Sequence, residues 1–178
     1  MNITKRRSTI LASLSLVIWR LWPLPFVFTG LNLRAGADFS QLDDFLPPAD
    51  KPVVVYPGRS HPYFKSGQLF NEIVFKPRKM IYGHVFQPSE VKGTTIDEIA
   101  TLLANPASYT RWINSFKACG GFHADYYFSW KNGTEEWEVI LCTGCNEALL
   151  FHDGRSLRCD LSIEAGKKIY ELEKNEVR

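Results

Sequence analysis

The stretch ADYYFSWKNGTEEWEVILCTGCNEALLFHDGRSLRCD, residues 124–160, decides how this chain folds. Asn132-Gly133 and Asp153-Gly154 each interrupt a run rich in aromatic and branched residues. Such dipeptides mark tight hairpins, because a type I′ turn needs positive φ at both central positions. Four strands are therefore expected, over 124–131, 134–142, 147–152 and 155–160. If Lys131 pairs with Thr134, Phe128 lies across from Trp137, Tyr126 from Val139 and Ala124 from Leu141, forming a core face. The same register sets His123 across from Cys142 on the other face, with Cys119 four residues upstream. In the second hairpin Leu150 faces Leu157 and Ala148 faces Cys159, which should point Cys159 into an apolar layer.

Outward from this meander the periodicity changes. Downstream, Ser162 opens an amphipathic helix to about Glu173, with Ile163, Ile169 and Leu172 facing inward. Upstream, Thr95-Ile96-Asp97-Glu98 has capping-box spacing, and Ile96, Ile99, Leu102 and Leu103 share one helical face, so residues 95–104 should be helical. Pro106 ends that helix and opens a second helical turn through Phe116. Residues 53–56 are a short β-branched run, and 69–75 and 80–86 are further strand candidates. Pro47-Pro48 and Pro52 make 38–52 a loop. Meander and flanking helices together define an α+β class, with residues 53–178 as one domain.

The first 37 residues read as an export signal. Lys5-Arg6-Arg7 is a basic start, residues 8–28 are largely apolar, and Ala35-Gly36-Ala37 has the small-x-small pattern cut by signal peptidase. Arg6-Arg7-Ser8-Thr9-Ile10-Leu11 is compatible with twin-arginine as well as ordinary secretion. The competing reading is an uncleaved membrane anchor over 8–30, which Arg20 in mid-segment disfavours. With cleavage the mature chain starts near Asp38, in the periplasm or outside the cell. Five of the 21 Lys and Arg lie before residue 38 and none of the 19 Asp and Glu does, so the mature chain carries a net charge of −3. A nucleic-acid partner needs a basic stripe, which this balance lacks.

Four cysteines in an exported chain leave three chemistries open. Cys119, Cys142, Cys145 and Cys159 are disulfide candidates. Cys142-x-x-Cys145 has zinc-knuckle spacing, and Cys119 and His123 would complete four ligands. Thiol redox chemistry is the third, weakened because a reactive Cys-x-x-Cys usually opens a helix and this one falls in a β turn. His61 and His84 read as surface or core histidines, His152-Asp153 as turn chemistry, and Asn132-Gly133-Thr134 as a turn rather than a glycosylation site. No Gly-x-Ser-x-Gly elbow, phosphate-binding glycine loop or His-Glu-x-x-His helix is present.

Cys119-Gly120-Gly121-Phe122-His123-Ala124-Asp125-Tyr126, Cys142-Thr143-Gly144-Cys145 and Leu157-Arg158-Cys159-Asp160-Leu161 together resemble a known pattern. They are similar to the C-G-F-H-P-D-Y, C-F-G-C and L-x-C-D-I/L segments of an uncharacterised group of small exported bacterial proteins. The chain departs from it by an extra glycine, by Ala124 for proline and by Thr143 for phenylalanine. The resemblance implies that these positions belong together and implies no activity. The expectation is an exported, non-enzymatic module that binds a protein or small ligand without a cofactor. Its alternative is a zinc- or thiol-dependent enzyme centred on Cys119, His123, Cys142 and Cys145.

Overall fold

The computed structural model describes residues 37–59, 67, 70–72, 76–113 and 121–176. Contacts divide the chain at Leu33 and Arg34 into two units, and all described residues belong to the second. The leader expected over 1–37 thus lies outside the described residues except for Ala37.

The meander forms as α+β reasoning requires. A six-stranded antiparallel sheet is built from β1 (Val53–Pro57), β4 (Tyr109–Arg111), β5 (Tyr126–Asn132), β6 (Glu135–Cys142), β7 (Glu147–His152) and β8 (Arg155–Leu161), in the order β1-β5-β6-β7-β8-β4. Val55, Phe128, Val139, Leu150 and Leu157 stand opposite one another across five strands. All five are buried, and full burial of such side chains contributes roughly 1.5–3 kcal/mol each. On this face pack α1 (Leu42–Phe45), α2 (Thr94–Leu103) and α3 (Ile163–Glu176) through Leu42, Phe45, Ile96, Ile99, Leu103 and Ile169.

The opposite face carries the small hairpin β2 (Lys79–Ile81) and β3 (His84–Phe86), whose Phe86 is buried against Tyr127. The expected single strand over 80–86 is therefore bent in two. Tyr82 and Gly83 have φ of 48° and 82°, the paired positive values of a type I′ turn.

The Asn132-Gly133 hairpin is present with a register two residues from the expected one. Asn132 pairs with Glu135, so Phe128 opposes Val139 and Tyr126 opposes Leu141. Gly133 has φ 62° while Asn132 has no positive φ, the pattern of a turn centred on Gly133-Thr134 with glycine first. A two-residue slip preserves which face each side chain occupies, so Phe128, Val139 and Leu141 line the core face as expected; Ala124, expected there too, precedes β5 and packs with Phe86 and Tyr127 on the opposite face, and the His123 to Cys142 strand pairing is not formed. In the second hairpin Ala148 opposes Cys159 and Leu150 opposes Leu157, as read from the sequence.

Other expectations yield to packing. Phe70, Asn71 and Glu72 are helical where 69–75 was expected extended, the polar pair interrupting the β-forming run. Helix α2 begins at Thr94 with Gly93 as N-cap and no side-chain cap, so the Thr95 capping box is not made. After Pro106 a three-residue 3-10 turn, capped by Asn105 Oδ1 on the Ala107 N–H, gives way to β4 rather than to a helix. Tyr109 pairs with Leu161 there, and β8 gains a neighbour. Ile163 is exposed at the start of α3, so the inward stripe begins later, at Ala165 and Ile169. Residues 38–52 are not merely a loop: Phe39–Gln41 is a 3-10 turn and Phe45 is fully buried. No helix among the described residues is long and apolar enough to cross a membrane.

Candidate functional site

The face opposite the helices collects the polar residues of the resemblance segments. Because side chains alternate along each strand, Cys142, Glu147 and Asp160 emerge side by side from β6, β7 and β8. All three are buried. Glu147 Oε2 accepts hydrogen bonds from Arg158 Nη2 at 2.6 Å and Nε at 3.2 Å, and Oε1 accepts from Trp112 Nε1 at 3.4 Å. The Arg158 guanidinium lies 4.4 Å from the Trp112 ring centre and 5.7 Å from that of Phe122. Asp160 Oδ2 accepts the Ile113 N–H at 3.0 Å.

Cys142 ends β6 with its sulfur turned toward backbone donors. Sγ accepts the N–H of Cys145 at 3.3 Å and of His123 at 3.4 Å, the second contact bringing His123 to Cys142 without strand pairing. Burial nevertheless pushes the thiol up to about 11, against the lowering effect of those two donors. At neutral pH it is a protonated, weakly nucleophilic thiol. Phe122 covers Cys142 and Cys145. Cys159 sits on the other face, in the apolar core, pushed up to about 12 by burial and Asp160.

Both Cys142 and Cys159 are free, which corrects their place among the disulfide candidates. They lie on opposite faces of the sheet and two strands apart, roughly 10 Å, beyond the reach of a disulfide. Cys145, by contrast, is disulfide-bonded. No two cysteines are bonded to each other among the described residues, and Cys119 lies outside them. The Cys145 sulfur stands 2.9 Å from Gly121 O; a disulfide sulfur has no hydrogen to donate, so this is a packing contact.

The approach to this cluster is built by the end of β1. Gly58 N–H donates to Asp125 O at 2.6 Å, and a Cβ at Gly58 would stand 1.9 Å from Ala124 O, so only glycine lets the strands meet. Arg59 O is thereby delivered 2.9 Å from His123 Nε2. A carbonyl only accepts, so the His123 proton is on Nε2. Asp125 Oδ1 is 3.6 Å from the same nitrogen, and Oδ2 accepts from Thr143 N and Oγ1 at 2.8 and 3.1 Å. His84 meets the edge of Phe122, and burial followed by the nearby His123 lowers its pKa. The geometry therefore unites His123, Cys142 and Cys145 with Asp125, Glu147, Arg158 and Trp112, which sequence reasoning had not assigned to a site. Arg158 falls within one of the resemblance segments and Glu147 outside them, so their partnership was detectable only through strand register. Among the described residues no group of three or more His, Cys, Asp or Glu is placed to hold a metal ion. His61 lies outside the described residues.

On the same face, toward the hairpin tips, lies an open cleft of about 510 Å³. Tyr82, held at positive φ, stacks on Phe151 with ring centres 3.9 Å apart. Tyr82 and Tyr127 both donate to Glu138, one to each carboxylate oxygen. Glu135, Glu136 and Asp153 complete an acidic rim, with Glu136 also 3.2 Å from Lys131 Nζ.

No family model matches the chain, no curated protein matches it, and no solved structure matches it.

Proposed function

We propose that this chain is an exported, non-enzymatic binding module, stapled by a Cys119–Cys145 disulfide and active at the periplasmic or extracellular side of the membrane. The observation that carries this reading is how the chemistry-bearing cluster spends its bonds. Cys142 is a neutral buried thiol receiving two N–H bonds, Glu147 is closed by Arg158, Asp125 by Thr143, and His123 meets Arg59 O. A nucleophile or general base needs a proton or substrate atom within reach, and these groups instead tie strands, turn and loop together. Cys119 is assigned as the staple partner because Cys142 and Cys159, the other two of the chain's four cysteines, are free.

The ligand surface in this reading is the ring-floored cleft at Tyr82 and Phe151. Carboxylates beside aromatic faces favour a cationic group such as a lysine or arginine side chain. The test is titration calorimetry of the purified mature protein with a lysine-rich peptide and with a glutamate-rich one. The reading expects binding of the first alone, weakened by salt and by the Glu135→Gln/Asp153→Asn pair. Equal binding of both peptides, or of neither, rejects it.

One observation favours a second reading. The Cys145 N–H donates to Cys142 Sγ within a Cys-x-x-Cys turn, a spacing that zinc sites use; zinc held by Cys142, Cys145, His123 and Cys119 in the reduced protein requires these side chains to move, since no three of the described ones are placed to hold a metal ion. Stoichiometric zinc in protein purified from its native compartment, reduced by His123→Ala, would replace the staple with the metal.

A further inference from the structure

The bond expected to be cut in maturation, Ala37-Asp38, is fastened to the folded domain on both sides. Ala37 N–H donates to Ser156 O at 3.0 Å, attaching the residue to β8. Asp38 caps the following 3-10 turn through Ser40 N–H at 2.9 Å, and its carboxylate is 3.7 Å from Arg111 of β4. Phe39 packs against the core, Leu42 and Phe45 are buried in it, and Arg155 holds this segment by reaching Asp44 at 3.3 Å and lying over the Phe45 ring at 5.1 Å.

A peptidase takes its substrate as an extended strand, and cleavage of a folded protein follows the fraction in which that backbone is free of its own bonds. We infer that maturation depends on the order of events: Ala37-Asp38 is hydrolysed only while residues 37–45 are undocked, and docking before the cut protects the bond and leaves the chain tethered by its leader. The step adds water across the amide, giving an Ala37 carboxylate and an Asp38 ammonium. It follows that a route exporting the unfolded chain yields the mature protein, whereas passage of the folded chain yields a membrane-held form. This inference rests on the export reading above.

The experiment uses full-length precursor, folded and held in detergent, incubated with signal peptidase and followed by intact mass. A second precursor carries a spacer of about six Gly and Ser residues between Asp38 and Phe39, which breaks the Asp38 cap on Ser40 and lets residues 37 and 38 leave β8 and Arg111 without undocking Leu42 and Phe45. A third carries Phe45→Ala. The expected result is cleavage of the spacer form at least ~100-fold faster than the parent, as for a bond that must otherwise await local opening, with Phe45→Ala in between. Equal, rapid cleavage of parent and spacer forms overturns the inference while leaving the signal reading intact. No cleavage of any form overturns the signal reading itself, and the inference with it.

Discussion

Gly58→Ala puts the construction of the site to a quantitative test. Gly58 does not have positive φ, so alanine is allowed there by backbone conformation. With no tertiary conflict, Gly→Ala would stabilise by about 0.4–1 kcal/mol through the unfolded chain. The fold reverses that sign. The new methyl would stand 1.9 Å from Ala124 O and 3.0 Å from Asp125 O, both backbone atoms. Ordinary carbon–oxygen contacts begin near 3.3 Å, so the two segments must part by roughly 1.4 Å. That breaks the 2.6 Å Gly58 N–H bond to Asp125 O and disturbs the Gln87 Nε2 bond to Gly58 O. A lost buried hydrogen bond costs about 1–3 kcal/mol and overpacking about 1–3 more. Set against the entropic gain, the net destabilisation is about 1–5 kcal/mol. Urea unfolding reads this directly: with m of about 2 kcal/mol/M the midpoint falls by about 0.5–2.5 M. The His123 imidazole resonances should shift as well, because Arg59 O moves with Gly58. A midpoint unchanged or raised at constant m would refute the close approach of β1 to Ala124, and with it the account of how His123 is held.

Thiol titration of the native protein should find no rapidly reacting cysteine at pH 8, and two after denaturation without reductant, since Cys142 and Cys159 are buried and free; four would remove the disulfide of Cys145. Stability should fall with alkaline pH. Both thiols have folded pKa values above the ordinary 9.0, so their contribution is complete below about 9 and is lost as pH rises through about 11 and 12. The slope approaches roughly 1.4 kcal/mol per pH unit for each thiol, and a Cys142→Ala/Cys159→Ala variant should flatten it in unfolding measured from pH 8 to 11. Gly133→Val should cost about 1–2 kcal/mol, because φ is 62° there and branched side chains resist that region; an unchanged denaturation midpoint would deny the turn. Tyr82→Phe keeps the stack on Phe151 but removes one donor to Glu138, so it should lose about 1 kcal/mol while retaining peptide binding by calorimetry.

The meander was legible in the sequence because its information is local. Alternation from Tyr126 to Leu161 and two glycine-bearing turns specify strands, and an even slip in register leaves the buried face unchanged. Helix α2 was legible for a similar reason, since the apolar spacing of Ile96, Ile99 and Leu103 survives the loss of the expected cap. The sequence also grouped Cys119, His123, Cys142 and Cys145 as positions of interest, through resemblance and spacing. It did not determine which cysteines are free. Alternation already placed Cys142 and Cys159 on opposite faces; the tertiary structure adds that these two are free while Cys145 is bonded. Nor did the sequence reveal the partnership of Glu147 with Arg158 and Trp112, because those bonds join β7, β8 and the end of β4 through side chains whose meeting is set by register alone. Residues 38–52 show the limit most clearly. Proline content marked them as irregular, yet Leu42 and Phe45 are core residues, because an apolar side chain three positions from its neighbour joins a core only if tertiary structure leaves an uncovered surface for it. Local sequence specified the elements, and the packing of distant elements decided which of their side chains are bonded, free or buried.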